Sequence, residues 1–185
     1  GFNVTIPHKI EIMKFLDKID ESCSLIGAAN TIVNIDGILK GYNTDMDGFL
    51  EPFKKKEIEI INKKILLLGA GGAARAIVAG FAKEKAKSIT IANRTLENAE
   101  KLSEFAEKIG LTADVLKIEN VNGSAKNYDI IVNATSIGLK NEESVISLDG
   151  INEKTVVYDI VYMPMNTDFI KKAKENNAIV IYEIG

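Results

Sequence analysis

The chain is short of cysteine, histidine, long apolar runs and excess charge of either sign. Cys23 is its only cysteine. No internal disulfide can form, and a reducing, cytoplasmic setting is expected. A lone cysteine reads more simply as a small buried apolar residue than as a nucleophile. His8 is the only histidine; beside a helix start it reads as structural, and no metal site is expected. No apolar run approaches the ~18 residues of a membrane span. Lys and Arg number 23 against 26 Asp and Glu, a net charge of −3. That balance advertises neither a nucleic-acid nor a membrane surface. The longest basic run, Lys54 to Lys56, meets Glu57 at once and reads as a solvated helix end or linker. What is present is ordinary globular material: 46% hydrophobic and 26% charged over 185 residues. That suits one domain, or one domain and part of another.

The first residues, GFNVTIPHK, carry no initiator Met and no targeting pattern. From Pro7 to Ile19 the spacing of Ile10, Met13, Phe15, Leu16 and Ile19 predicts an amphipathic helix with Pro in its first turn. Residues 27–30 form a small-residue turn. Strands are expected at 31–35 and 38–42, joined by an Asp36-Gly37 hairpin turn. Residues 43–45 read as a cap, and 46–55 as a short helix.

A different rhythm starts near residue 63. Lys64 to Leu68 is a continuous apolar strand of the doubly buried type. Helices are expected at 72–85, 95–109 and 167–176. Strands are expected at 88–92, 113–116, 128–132, 155–159 and 178–182. This alternation predicts an α/β fold: a Rossmann-like, doubly wound parallel sheet with right-handed crossovers over 56–185. Residues 1–55 read as part of a second α/β unit, with 54–64 as the connection.

The sharpest motif is ILLLGAGGAAR, residues 65–75. It has the order strand, G-x-G-x-x-A, helix. Gly69 permits a tight turn, Gly71 lets a pyrophosphate approach the backbone, and Ala74 lets the helix pack close. The helix N-terminus adds unpaired N–H groups and partial positive charge. A bare glycine triplet could be only a turn, but here the flanking strand and helix are both present. Gly69, Ala70, Gly71, Gly72 and Ala73 are therefore candidate cofactor contacts. After the next strand an NAD site usually presents a carboxylate for the ribose hydroxyls. Asn93, Arg94 and Thr95 stand there instead. A guanidinium attracts a 2′-phosphate that a carboxylate would repel, so NADP is favoured over NAD. Asn133-Ala134-Thr135-Ser136-Ile137-Gly138 follows the fourth strand of this unit. It either lines the nicotinamide side or only turns the chain.

A hydride-transfer enzyme also needs a titratable group to move a proton at the substrate oxygen. Lys9 and Asp45 are the candidates, each just past a strand-like segment.

These residues resemble the shikimate dehydrogenase family, including its quinate-using relatives. Residues 1–9 are similar to its G-x-N-V-T-x-P-x-K signature, 27–31 to its G-A-x-N-T turn, and 41–45 to its G-x-N-T-D. The glycine loop, Asn93-Arg94-Thr95, Asn133-Ala134-Thr135 and Tyr158-Asp159-Ile160-Val161-Tyr162 follow in the family's order. The resemblance spans essentially the whole chain. It implies a reversible reduction of 3-dehydroshikimate to shikimate by NADPH, in aromatic amino-acid biosynthesis. It makes Lys9 and Asp45 the catalytic pair, with Thr5, Asn30 and Tyr162 contacting substrate. Thr135 and Ile160 join the cofactor side. A homodimer is compatible with it. The family also carries an earlier segment with two serines for the substrate carboxylate, and a later glutamine and returning helix; this sequence contains neither. These residues alone are therefore expected to bind NADP with little turnover. A quinate-preferring enzyme and a non-catalytic NADP-binding regulator are the rival readings.

Overall fold

The structure is a computed structural model and describes residues 1–5, 7–140, 142–161 and 163–182. Two sheets organise them. The smaller holds β1 (Phe2–Asn3), β2 (Lys18–Ile19), β3 (Thr31–Ile35) and β4 (Ile38–Tyr42) in the order β1-β3-β4-β2. β3 and β4 are antiparallel, and the turn between them places Asp36 at φ 50° and Gly37 at φ 89°. That is the left-handed pair a two-residue hairpin demands.

The segment before β2 corrects one expectation. Residues 7–19 do not form an amphipathic helix. Glu11–Phe15 make a short 3₁₀ turn, and the chain then enters the sheet as β2, parallel to β4. Asp17 explains the switch. Its N–H donates to the Leu39 carbonyl at 3.0 Å, and its carboxylate accepts from the Leu39 N–H at 2.7 Å. Sheet pairing thus outcompetes the helix, leaving Ile10 and Phe15 exposed. A second correction is helix α1 (Glu21–Ile26), where no helix was expected. Its N-cap is Asp20, whose carboxylate accepts from the Cys23 N–H at 2.8 Å. Gly27 ends it at φ 71°.

Helix α2 (Asp45–Lys55) joins the two units. Its apolar residues Met46, Phe49, Leu50 and Phe53 recur at helical spacing, and all four are buried in the core of the second unit. Phe49 stacks on Tyr158 with ring centroids 5.2 Å apart and meets Phe81 edge-on at 5.2 Å. Burial in this cluster pushes the Tyr158 phenol up to about 12.

The larger sheet comprises β5 (Lys64–Leu68), β6 (Ser88–Asn93), β7 (Ala113–Lys117), β8 (Ile130–Asn133), β9 (Val156–Asp159) and β10 (Ile179–Ile181). All are parallel, in the order β10-β9-β8-β5-β6-β7. Helices α3 (Ala74–Lys83), α4 (Leu96–Lys108) and α5 (Asp168–Glu175) follow β5, β6 and β9. The central strands β5, β8 and β9 are buried on both faces, as the sequence predicts for 64–68. Ile65 and Leu67 point toward α2, α3 and α4, while Leu66 and Leu68 enter the core under α5. Strand order reverses direction at β5, between β6 and β8. A crevice opens at such a point beyond the carboxyl ends of the strands.

Candidate active site

The glycine loop leaves β5 at that crevice. Gly69 has φ 101°, and a Cβ there would lie 2.9 Å from the Ala134 carbonyl oxygen. Only glycine fits this turn. Gly71 differs: a Cβ there would meet nothing within 4 Å. Its freedom is open space, the kind a ligand's phosphates can enter. Ala74 closes the turn by donating to the Gly71 carbonyl at 3.1 Å. The N–H groups of Gly71, Gly72 and Ala73 find no acceptor among the described residues. They precede α3, whose dipole favours an anion there.

Asn93, read as a cofactor contact, also has a structural duty. Its Oδ1 accepts from the Ala70 N–H at 3.3 Å, and its Nδ2 donates to the Thr95 carbonyl at 2.8 Å. It thereby ties the glycine loop to the turn after β6. Arg94 and Thr95 are exposed on that turn. Arg94 has no ion-pair partner among the described residues. A dinucleotide with a 2′-phosphate fits these groups: open donors at the loop, and a free guanidinium at the end of β6.

At the ends of β8 and β9 lies a buried polar cluster that joins two segments the sequence reading named separately. Asn133 donates from Nδ2 to Asp159 Oδ1 at 2.9 Å and accepts at Oδ1 from the Thr135 hydroxyl at 2.7 Å. Asp159 Oδ2 accepts from the Thr167 hydroxyl at 2.6 Å, and Oδ1 from the Val161 N–H at 3.0 Å. Burial raises the Asp159 carboxyl above the usual range, and these hydrogen bonds oppose the rise. Thr135 and Ile160 are held at the crevice by this cluster, since Ile160 donates to the Asn133 carbonyl at 3.1 Å. The signal was a polar residue closing each of two apolar strands.

The first unit brings Lys9, Asn30 and Asp45 together. Lys9 Nζ lies 2.6 Å from Asp45 Oδ2, a charge-assisted contact across 36 residues of chain. Asn30 Nδ2 donates to Asp45 Oδ1 at 2.8 Å. Both carboxylate oxygens are therefore engaged, and the side chain has one orientation. Asp45 is the first residue of α2, where the helix dipole favours a negative charge. Asn43, buried, accepts from the Asp45 N–H at 3.0 Å and donates to the Ala28 carbonyl at 2.9 Å. Lys9 and Asp45 stay partly open, with side chains 20% and 30% exposed. They line one cleft of about 440 Å³ with Asn43, Gly71, Gly72 and Arg75. Thr5 is exposed on the segment before Lys9, outside that lining, and its carbonyl accepts from the His8 N–H at 2.9 Å. Tyr162 lies outside the described residues. A wider groove of about 560 Å³ sits at the far end of α2, around Phe53 and Ile60, away from all of these groups.

Comparison with known proteins identifies the family. The family model described as Shikimate / quinate 5-dehydrogenase matches residues 53–183, and the shikimate dehydrogenase substrate binding domain matches 1–32. The chain belongs to the shikimate dehydrogenase family. It is 76% identical over 182 residues to the shikimate dehydrogenase (NADP(+)) of Nitrosopumilus maritimus, covering 98% of this chain and 67% of that protein. The shikimate 5-dehydrogenase of Listeria monocytogenes, solved with shikimate and NAD, is 35% identical with a TM-score of 0.87; 97% of this chain and 65% of that one are covered. A shikimate dehydrogenase solved in complex with NADP+ is 42% identical with a TM-score of 0.85, covering 97% and 64%. The chain thus spans about two thirds of the length of such relatives. The Rossmann-like fold expected from the sequence is the one these structures share. Among the described residues no helix is long and apolar enough to cross a membrane.

Proposed function

We propose that the protein containing this chain catalyses the NADP-dependent, reversible reduction of 3-dehydroshikimate to shikimate. The observation that carries this reading is the Lys9–Asp45 pair, 2.6 Å apart, facing the glycine loop across one cleft. The relatives' printed names supply the substrate and the nucleotide. Residues 1–55 are assigned to the substrate side and 56–185 to the nucleotide side, bridged by α2. When bound, NADPH supplies a hydride to the carbonyl carbon. Lys9, as an ammonium, donates the proton that the carbonyl oxygen needs to become a hydroxyl. Asp45 aims that ammonium, and Asn30 holds the carboxylate from its other oxygen. Thr5 and Tyr162 are assigned to substrate contact. Gly69 to Ala73 would cradle the pyrophosphate, Asn93, Arg94 and Thr95 would receive the 2′-phosphate end, and Thr135 and Ile160 would border the nicotinamide. The single, buried Cys23 suits a reducing cytoplasm. A homodimer is compatible with the reading and is tested by sedimentation.

The decisive experiment follows absorbance at the reduced-nicotinamide band with the full-length protein. Shikimate or quinate is paired with NADP+ or NAD+. The expected result is preferential NADP+ reduction by shikimate, which Lys9→Ala all but abolishes. Faster turnover of quinate would replace the substrate assignment. Nucleotide binding without reduction would mark a regulator.

A further inference from the structure

Arg75 lies just inside α3, one residue past the first helical residue, Ala74. It belongs to the nucleotide unit, but its side chain reaches the other one. Nε donates to the carbonyl of Ile26, the last residue of α1, at 2.7 Å. The guanidinium lies over the Phe105 ring, with Cζ 3.9 Å from the centroid. Its far side meets the Gly27 backbone so closely that a Cβ there would lie 3.1 Å from Nη2. Arg75 has no ion pair among the described residues, and burial disfavours its charged form. A half-buried cation with no anionic partner is costly to keep unless its geometry is used.

The segment it grips leads directly to the Lys9–Asp45 pair. Residue 28, two positions after Ile26, offers its carbonyl to Asn43 Nδ2 at 2.9 Å, and Asn43 in turn accepts from the Asp45 N–H at 3.0 Å. Residue 29 donates its N–H to the Lys9 carbonyl at 2.9 Å. Residues 26–29 therefore contact Arg75 on one side and brace both members of the pair on the other. We propose that Arg75 is a positioning residue that sets the separation between the glycine loop and the Lys9–Asp45 pair by clamping residues 26–29 to the start of α3. This rests on the reaction proposed above. Hydride and proton must reach one carbonyl from opposite units, and misplacement by about 1 Å can cost ~10²-fold in rate. Lysine would not substitute. It lacks both the Nε–H fixed in a plane and the flat face that stacks on Phe105.

The test uses the full-length protein with Arg75→Met, Arg75→Lys and Phe105→Leu. For both Arg75 variants kcat should fall ~10–100-fold, while the Kd for NADP+ changes less than about threefold. The Phe105→Leu variant should fall between them and wild type. Unchanged kcat would overturn the proposal. So would a loss of NADP+ affinity matching the loss of rate, which would make Arg75 a phosphate ligand instead. A second readout does not depend on turnover. Spin labels at Asp36→Cys and Glu119→Cys, both exposed sites, report the distance between the units. Arg75→Met should broaden that distance distribution, and an unchanged distribution would overturn the clamp even if wild-type protein turned over no shikimate.

Discussion

Asn30 and Asp45, fifteen residues apart in the chain, meet through a 2.8 Å hydrogen bond from Nδ2 to Oδ1. That bond leaves Oδ2 to Lys9 alone, at 2.6 Å. Asn30 is itself fixed, since its Oδ1 accepts from the Thr44 N–H at 3.1 Å and the Thr31 hydroxyl at 2.9 Å.

Lys9 and Asn30 should therefore fail differently when changed. Lys9→Ala removes the proton carrier and should lower kcat ~10²–10⁴-fold with little change in KM. Asn30→Ala frees one carboxylate oxygen. A hydrogen bond to a charged group is worth roughly 1.5–3 kcal/mol, so a loss of about 10–100-fold in kcat/KM is expected. Steady-state kinetics with shikimate separates the two cases.

Two glycines of one loop should also respond differently. Gly69→Ala places a side chain at φ 101° against the Ala134 carbonyl, and should cost at least ~1–3 kcal/mol of stability. At Gly71 a Cβ would meet no neighbour within 4 Å, which gives Gly71→Val room. It should leave the thermal midpoint nearly unchanged yet weaken NADP+ binding, because the branched side chain fills the space a pyrophosphate needs. Thermal melts with calorimetric titration decide.

The buried Asp159 carboxyl sits above the usual carboxylate range because of desolvation. The fold thus prefers its protonated form. That stabilising preference is fully present below the ordinary carboxylate pKa and is lost as pH rises through the raised folded value. Asp159→Asn removes the titration, so denaturant midpoints of variant and wild type should move in the variant's favour as pH rises above the ordinary carboxylate range. Asp159→Leu strands the Thr167 hydroxyl and the Val161 N–H, both donors to Asp159. At roughly 1–3 kcal/mol for each orphaned group, it should destabilise at every pH.

Cys23 is fully buried, and burial, reinforced by Asp20, pushes its thiol up to about 12. Thiolate at neutral pH is then scarcer than in a free cysteine by ~10³. A disulfide reagent should label it only as the protein unfolds, on the same denaturant curve as the loss of helix signal. Rapid labelling of native protein would show that this small core opens locally.

Much of this protein was legible in its residues. A strand buried on both faces reads as an unbroken apolar run, so Lys64–Leu68 announced a central strand, and the alternation of strands with helices after it announced the parallel sheet. The glycine loop declared itself because Gly69 must take a conformation other residues resist. Asp36-Gly37 named its own turn for the same reason. The 3₁₀ turn at Glu11–Phe15 was not legible, because its periodicity fits a helix and only pairing with Leu39 draws the chain into a sheet. Nor was the clamp from Arg75 to Ile26: a guanidinium's partner 49 residues away leaves no local trace. Local sequence determined the elements and the chemistry each could carry, since propensity and turn geometry act over a few residues. Only the tertiary structure decided that Lys9, Asn30 and Asp45 share one carboxylate facing the phosphate loop, because that depends on packing α2 into a core its own unit does not contain.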